Sequence, residues 1–306
     1  MARPLVPVIV GPTAVGKTAL AVALARHWPI VVISADSRQV YRGLDLGTGK
    51  PSSNERVRVP HEGLDMVQPG ERYSAGRFAR DAVEWLRQAQ MNERRPVVVG
   101  GTGLYIRALA DGLFREPPLD PDRRRKLQRW AAGEPSLARW ATRLDPRYTG
   151  GGRQRAARAV EVALLTGQSL SWWQRAARAE GVMRPVYLRL TLPRAVLYRR
   201  IAERVTAWLA AGWVDQVQAV LRGGVAAGAP GLDAVGYREI VRNLQGDLPA
   251  DDLPAAITAS TRRYAKRQET WFRHQLGDEA VITLDASESP DTLALRFIHH
   301  WDTTYV

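Results

Sequence analysis

The sequence predicts an α/β fold in which a parallel sheet is flanked by helices and carries an all-helical insertion. Three observations predict it. Near the N-terminus an apolar strand, a glycine-rich turn and an Ala/Leu-rich stretch succeed one another, the pattern of a βαβ unit. Further β-branched runs recur later in the chain, and one of them closes in Gly100 and Gly101 before more helical spacing. Between the runs, residues 116–181 are rich in Arg, Ala and Trp, with helical spacing and no convincing strand.

In chain order, residues 6–10 are the first strand, residues 17–27 a helix, residues 30–33 the second strand, residues 97–99 the third and residues 104–109 a helix. Val186, Leu188, Leu190 and Leu192 alternate with other residues, which is the period of a strand. Helices are expected over residues 195–221 and 254–276, with residues 223–230 as a glycine- and alanine-rich break. The domain reading is therefore an α/β core of residues 1–115 and 182–306, interrupted by a helical insertion of residues 116–181.

At 306 residues the chain can bury a substantial core. Lys and Arg outnumber Asp and Glu by 44 to 31, a net charge of +13 that suits a polyanionic partner or, more blandly, an arginine-rich surface. The chain has no cysteine, which excludes disulfides and thiolate zinc sites. The apolar run before Gly11 and Pro12 is far too short to span a bilayer. A soluble, cytoplasmic protein with no membrane partner is expected, and a monomer, because no exposed heptad stripe stands out.

Gly11, Pro12, Thr13, Ala14, Val15, Gly16, Lys17 and Thr18 satisfy the GxxxxGK[ST] pattern between a buried strand and a helix. There the backbone N–H groups converge on phosphate oxygens and the helix N-terminus adds positive charge. Lys17 is the candidate for the terminal phosphate, and Thr18 for Mg²⁺ through its hydroxyl. The core is thus P-loop NTPase-like. Residues 97–99 end in Gly-Gly-Thr rather than an acid, which argues against a motor ATPase.

Asp36 follows the second strand on the sheet edge that carries the P-loop, where ligands bind in open α/β sheets. It is a candidate metal-ordering group or general base, or else a turn or N-cap aspartate. Thr102, between Gly101 and Gly103, offers a hydroxyl at the same edge, either to a substrate or as a helix cap.

These residues resemble the tRNA dimethylallyltransferase family, also called tRNA isopentenyltransferases, of the bacterial type. The resemblance runs nearly end to end. It rests on the P-loop, on Ser34-Ala-Asp-Ser-Arg-Gln-Val-Tyr41 with Asp45-Leu-Gly-Thr-Gly-Lys-Pro51, on the motif of residues 100–105, on Gly236-Tyr-Arg-Glu239, and on Thr261-Arg-Arg-Tyr-Ala-Lys-Arg-Gln268 with Thr270-Trp-Phe272. The resemblance implies that dimethylallyl diphosphate lies on the P-loop with Mg²⁺ and that an adenosine beside the tRNA anticodon supplies its N6 amine. It implies catalytic roles for Asp36, as general base, and Thr102, which contacts the nucleotide. It also implies that Asp36, Ser37, Arg38, Gln39, Thr102, Arg124, Gln154, Arg155, Ala156, Ala157 and Arg158 meet the anticodon arm. The sequence departs from the family pattern at Gly152, where an aspartate is usual, at Arg38, where an apolar residue is usual, and mildly at Val15 and Gly49.

Arg155 and Arg158 are three apart and share a helix face, which serves RNA or is simply solvated. Arg262, Arg263, Lys266 and Arg267 stand among Tyr264, Trp271 and Phe272, where cations suit phosphate and rings suit either bases or the core. Trp271 or Phe272 is expected to be buried. Two rival classes share the P-loop: a small-molecule kinase, and a non-catalytic RNA-binding module in which the P-loop acts as a nucleotide switch.

Overall fold

The computed structural model describes residues 3–114, 119–177, 179–276 and 281–305. The chain forms two compact units, Met1–Ala110 with Val182–Val306 and Asp111–Gly181. The expected start of the insertion at residue 116 lies outside the described residues.

The first unit opens with β1 (Leu5–Val10), α1 (Lys17–Leu24), β2 (Ile30–Ser34), α2 (Ser53–Arg58), β3 (His61–Glu62), α3 (Ala75–Met91), β4 (Arg95–Gly100) and α4 (Gly103–Ala110). The second unit holds α5 (Pro121–Gly133), α6 (Leu137–Leu144), α7 (Arg153–Thr166) and α8 (Leu170–Ala176). The first unit resumes with β5 (Arg184–Thr191), α9 (Arg194–Ala210), α10 (Trp213–Arg222), α11 (Tyr237–Leu244), α12 (Leu253–Gln275), β6 (Val281–Asp285) and α13 (Pro290–Tyr305).

The six strands form one sheet in the order β3-β2-β4-β1-β5-β6, and every neighbouring pair is parallel. Its centre is buried on both faces, which is why β1, β2 and β4 read as continuous apolar runs. Ile9, Val32, Val97, Val99 and Leu188 share a core with Leu20 and Leu24 of α1, Leu197 and Ile201 of α9, and Phe297 and Trp301 of α13. Side chains alternate along a strand, so Val8, Val10, Ile33 and Val98 face the other way. The pairings Val10 with Gly100 and Ser34 with Val99 bring the carboxyl ends of β1, β4 and β2 level.

Local chemistry starts several helices. Ser52 and Glu55 form a capping box on α2, Ser74 accepts from Arg77 N–H at the head of α3, and Asp120 caps α5 with Pro121 in its first turn. One expectation is corrected: the helix expected over residues 195–221 is two helices. Gly212 takes a left-handed φ of 89° between α9 and α10, and its lack of a Cβ makes that reversal of direction inexpensive. The helix after the P-loop also ends at Leu24 rather than at residue 27.

In the second unit a small core of Ala131, Leu137, Ala141, Ala156, Ala159 and Val160 joins α5, α6 and α7. Asp145, nearly fully buried, accepts from the N–H and hydroxyl of Ser171 at 2.9 and 2.6 Å and so ties the end of α6 to α8. Buried Glu161 accepts from the Gln128 amide at 2.7 Å and pairs with Arg124 at 3.1 Å and with Arg158. Burial works to raise its pKa, yet the Gln128 amide and the two guanidiniums together hold it below the usual carboxylate value.

Gly152 is the N-cap residue of α7, and no side chain caps that helix start. A Cβ there meets nothing within 4 Å. Gly152→Asp is expected to stabilise the chain by about 0.3–1 kcal/mol, by capping an orphan N–H and by placing negative charge at the helix N-terminus. Urea denaturation should show a higher midpoint at unchanged slope; an equal or lower midpoint would mean that this helix end is already satisfied.

Candidate active site at the carboxyl edge of the sheet

Three loops, after β1, β2 and β4, meet at the carboxyl edge. The first is the P-loop. Gly16 adopts φ 110°, ψ 20°, a conformation L side chains rarely take, and from it α1 begins at once with Lys17 and Thr18. Lys17 Nζ donates to the carbonyls of Gly11 at 2.9 Å and Pro12 at 3.0 Å, folding back over its own loop. Burial lowers the Lys17 pKa to about 8; Asp36 offsets part of that effect, and Arg204 of α9 adds to it. A desolvated, half-buried ammonium whose hydrogen-bond partners are carbonyls is poised to accept an anion.

Not every amide of the loop faces that anion site. The Thr13 N–H donates at 2.8 Å to Oε1 of Gln268, a buried residue of α12. The cradle is thus fastened to a helix more than two hundred residues away in sequence.

After β2, Asp36 turns the chain. Its Oδ1 accepts from Arg38 N–H at 2.8 Å, an Asx turn that fixes the carboxylate. Asp36 lines one cleft with Lys17, Thr18, Ser34, Gln39 and His61. The cleft is open to solvent on one side, so a ligand can reach Lys17 and Asp36 from outside.

Its neighbours in sequence have different work. Gln39 accepts from Ser34 Oγ at 2.8 Å and donates to the carbonyls of Thr48 and Gly49 at 3.2 and 2.9 Å, so its amide pins the following turn. Lys50, almost wholly buried, reaches Asp45 at 2.6 Å, Asp65 at 2.5 Å and the Tyr41 carbonyl at 2.6 Å, locking the same turn. The Arg38 guanidinium donates to the Pro230 carbonyl at 2.9 Å.

After β4, Thr102 N–H donates to the Ala35 carbonyl at 3.1 Å. Its hydroxyl accepts from Ser37 N–H at 3.0 Å and lies 3.3 Å from Ser37 Oγ. The Thr102 hydroxyl therefore works across the site toward the Asp36 loop. Gly100 permits the contact, because a Cβ there would stand 2.1 Å from the Ala35 carbonyl oxygen.

The structure thus brings Lys17, Thr18, Asp36, Ser37, Gln39 and Thr102 to one edge. Arg124, Gln154, Arg155, Ala156, Ala157 and Arg158 belong to the second unit. There Gln154 and Arg155 are exposed, Ala157 and Arg158 are half-buried, and the Ala156 side chain is in the core. Phe272 is buried, as expected for one of the closing aromatic pair.

Residues without an assigned role in the sequence reading also reach the site. His61 lines the cleft with its Nδ1 2.6 Å from the Val59 carbonyl, and burial lowers its pKa, so the ring is neutral near pH 7. Arg204, on a helix with no motif of its own, lies near enough to Lys17 to lower its pKa. Thr18 and Asp36 give the cleft a hydroxyl and a carboxylate, hard oxygen donors of the kind that hold Mg²⁺ together with waters and phosphate oxygens. Among the described residues no three His, Cys, Asp or Glu side chains form a metal cage of their own.

Comparison with known proteins agrees with this arrangement. The IPP transferase family pattern matches residues 39–275 and the isopentenyl transferase pattern residues 4–65. A tRNA dimethylallyltransferase of Syntrophobacter fumaroxidans is 42% identical over 299 residues, 94% of this chain and 86% of that protein. One from Geobacter metallireducens is 43% identical over 285 residues, 91% of each chain. Among solved structures, the tRNA isopentenylpyrophosphate transferase of Bacillus halodurans has a TM-score of 0.72 at 32% identity, covering 99% of this chain and 96% of its own. A eukaryotic dimethylallyltransferase acting on tRNA shares the fold with a TM-score of 0.75 at 24% identity, over 99% of this chain and 76% of its own. With a family pattern over residues 39–275 and relatives 42–43% identical along more than nine-tenths of its length, the chain belongs to the IPP transferase family.

Proposed function

We propose that the chain transfers the dimethylallyl group of dimethylallyl diphosphate to the N6 amine of the adenosine 3′ to the anticodon in tRNA, releasing diphosphate. The observation that carries this reading is the meeting of a phosphate cradle, a carboxylate and a hydroxyl on one sheet edge, in Lys17, Asp36 and Thr102. A small-molecule kinase would use the same cradle, but the relatives at about 42% identity carry the dimethylallyltransferase name, which disfavours it.

The N6 lone pair attacks C1 of the allyl group while the C1–O bond breaks and its electrons leave with the diphosphate. That lone pair is delocalised into the purine, so loss of an N6 proton to the Asp36 carboxylate as the bond forms assists the attack. Lys17 and the loop amides hold the departing diphosphate, with Arg204 adding positive potential. Mg²⁺, held by Thr18 with Asp36 nearby, would neutralise diphosphate charge. Thr102 orients the nucleotide, and the bound substrates themselves must exclude the water that would otherwise take the prenyl group. The adenine must leave its stack to reach Asp36.

In this reading the core of residues 1–115 and 182–306 does the chemistry while the insertion of residues 116–181 grips the anticodon arm. Arg124 and Arg158 do so while paired to Glu161, and Gln154 and Arg155 do so from an exposed face. No described helix is long and apolar enough to cross a membrane.

Asp36→Asn keeps the turn but loses the base. Its single-turnover transfer rate is expected to fall about 10²–10⁴-fold with tRNA affinity nearly unchanged, whereas an equal loss of affinity would make Asp36 a binding group instead. The ammonium form of Lys17 holds diphosphate, and its proton is lost at about pH 8 in the free protein. Calorimetry should therefore show dimethylallyl diphosphate binding weaken as pH rises from about 7 to about 9, with proton uptake near the midpoint. A flat profile without proton uptake would remove Lys17 from the cradle. Arg155→Ala should weaken tRNA binding and reduce the slope of log K against log salt by about 1, while an unaltered slope would leave Arg155 merely solvated.

A further inference from the structure

Gln268 is the side chain that joins the two halves of the site. It lies on α12 with 5% of its surface exposed. Its Oε1 accepts from the Thr13 N–H of the P-loop at 2.8 Å, and its Nε2 donates to the Gly101 carbonyl of the β4–α4 turn at 3.0 Å. An amide satisfies both partners at once, because it carries one acceptor and one donor at the same end; carboxylate, thioether and ammonium groups do not. The fit is close on the loop side as well: a Cβ on Gly101 would stand 2.0 Å from Gln268 Nε2, so a side chain there would push the amide out of its present place.

The Gly101 carbonyl belongs to the peptide that leads into Thr102. Holding that carbonyl fixes the plane from which Thr102 N–H reaches Ala35 at 3.1 Å and sets where the Thr102 hydroxyl meets Ser37 at 3.0 Å. A continuous path of hydrogen bonds therefore runs from Thr13 through Gln268, Gly101 and Thr102 to the loop of Asp36. It begins where the diphosphate is held and ends where the nucleotide reacts. Every link is short, and the bridging atoms sit on a helix of 23 residues, so the separation of the two loops is set by a rigid element.

We propose that Gln268 is a positioning residue that couples occupation of the phosphate cradle to the geometry of the Thr102–Asp36 loops. It touches neither substrate. By taking the Thr13 N–H away from the phosphate site, it makes the P-loop conformation and the placement of Gly101 and Thr102 interdependent. The inference rests on the prenyl-transfer reading for its kinetic test but not for its structural one.

The experiment compares Gln268→Met, of similar length without the two polar contacts, with Gln268→Glu. Thermal melts and binding of dimethylallyl diphosphate establish that each variant is folded. In wild type, inorganic diphosphate with Mg²⁺ should slow amide exchange in residues 100–105 as well as in the P-loop. In Gln268→Met the P-loop should still be protected while residues 100–105 no longer respond. Single-turnover transfer by Gln268→Met should fall by about 10²-fold, the scale of a loop misplaced by about 1 Å, with a much smaller change in diphosphate affinity. In Gln268→Glu an ionised carboxylate would oppose the Gly101 carbonyl, and its protonated form would donate to it. Its rate relative to wild type should therefore rise as pH falls, while the same ratio for Gln268→Met stays flat.

Undiminished protection of residues 100–105 in Gln268→Met, or a pH-independent ratio for Gln268→Glu, would overturn the coupling. If wild type transferred no prenyl group to tRNA while the exchange pattern held, the functional reading would fail and the bridge would stand.

Discussion

All six strands of the sheet run the same way, and the rest of the site depends on that constraint. Each strand's carboxyl end opens on one edge, so the loops after β1, β2 and β4 are neighbours although they come from residues 11–18, 35–41 and 101–103. The register makes the arrangement specific. Val10 stands beside Gly100 and Ser34 beside Val99, and the absence of a side chain at Gly100 lets Thr102 reach the Asp36 loop. A one-residue slip would exchange the side chains of two differently packed buried faces and move these loops out of line, so the packing that stabilises the sheet also sets the reactive geometry.

Electrostatics follows from the same architecture. Lys17 is half-buried and desolvated at the mouth of the P-loop with carbonyls as its hydrogen-bond partners and Arg204 nearby, an arrangement that costs free energy until an anion arrives. Asp36 offsets only part of that cost, and an arriving diphosphate relieves the rest. The second unit handles charge in the opposite way, neutralising its buried Glu161 with Arg124, Arg158 and the Gln128 amide. The two guanidiniums proposed to meet the anticodon arm also neutralise Glu161 within their own unit, and replacing either removes a partner from a buried carboxylate.

Much of the fold was legible because its signals are local. A β-branched run followed by a glycine turn and a helical period marks β1 with α1, and β4 with α4, and the acid after β2 stands at a strand end where turn chemistry is explicit. The break at Gly212 was not legible, since apolar spacing continues on both sides and one glycine inside a helical pattern is commonly tolerated. The two-residue strand β3 is too short to carry a period, and β6 shows little burial to mark it. Site residues divide in the same manner. Lys17 and Asp36 announce themselves by motif and position. The bridge from Gln268 to Thr13 spans 255 residues and that to Gly101 spans 167, and only tertiary structure brings such groups together.

That one sheet edge holds a prenyl diphosphate against a nucleotide amine is a proposal. It is tested most directly by incubating the purified protein with Mg²⁺, isotopically labelled dimethylallyl diphosphate and unmodified tRNA transcripts, followed by mass analysis of the digested nucleosides. The account predicts label in a single N6-prenylated adenosine located 3′ to the anticodon. Unlabelled RNA from folded protein, together with phosphate transfer from ATP to a small molecule, would contradict it and make the cradle that of a kinase.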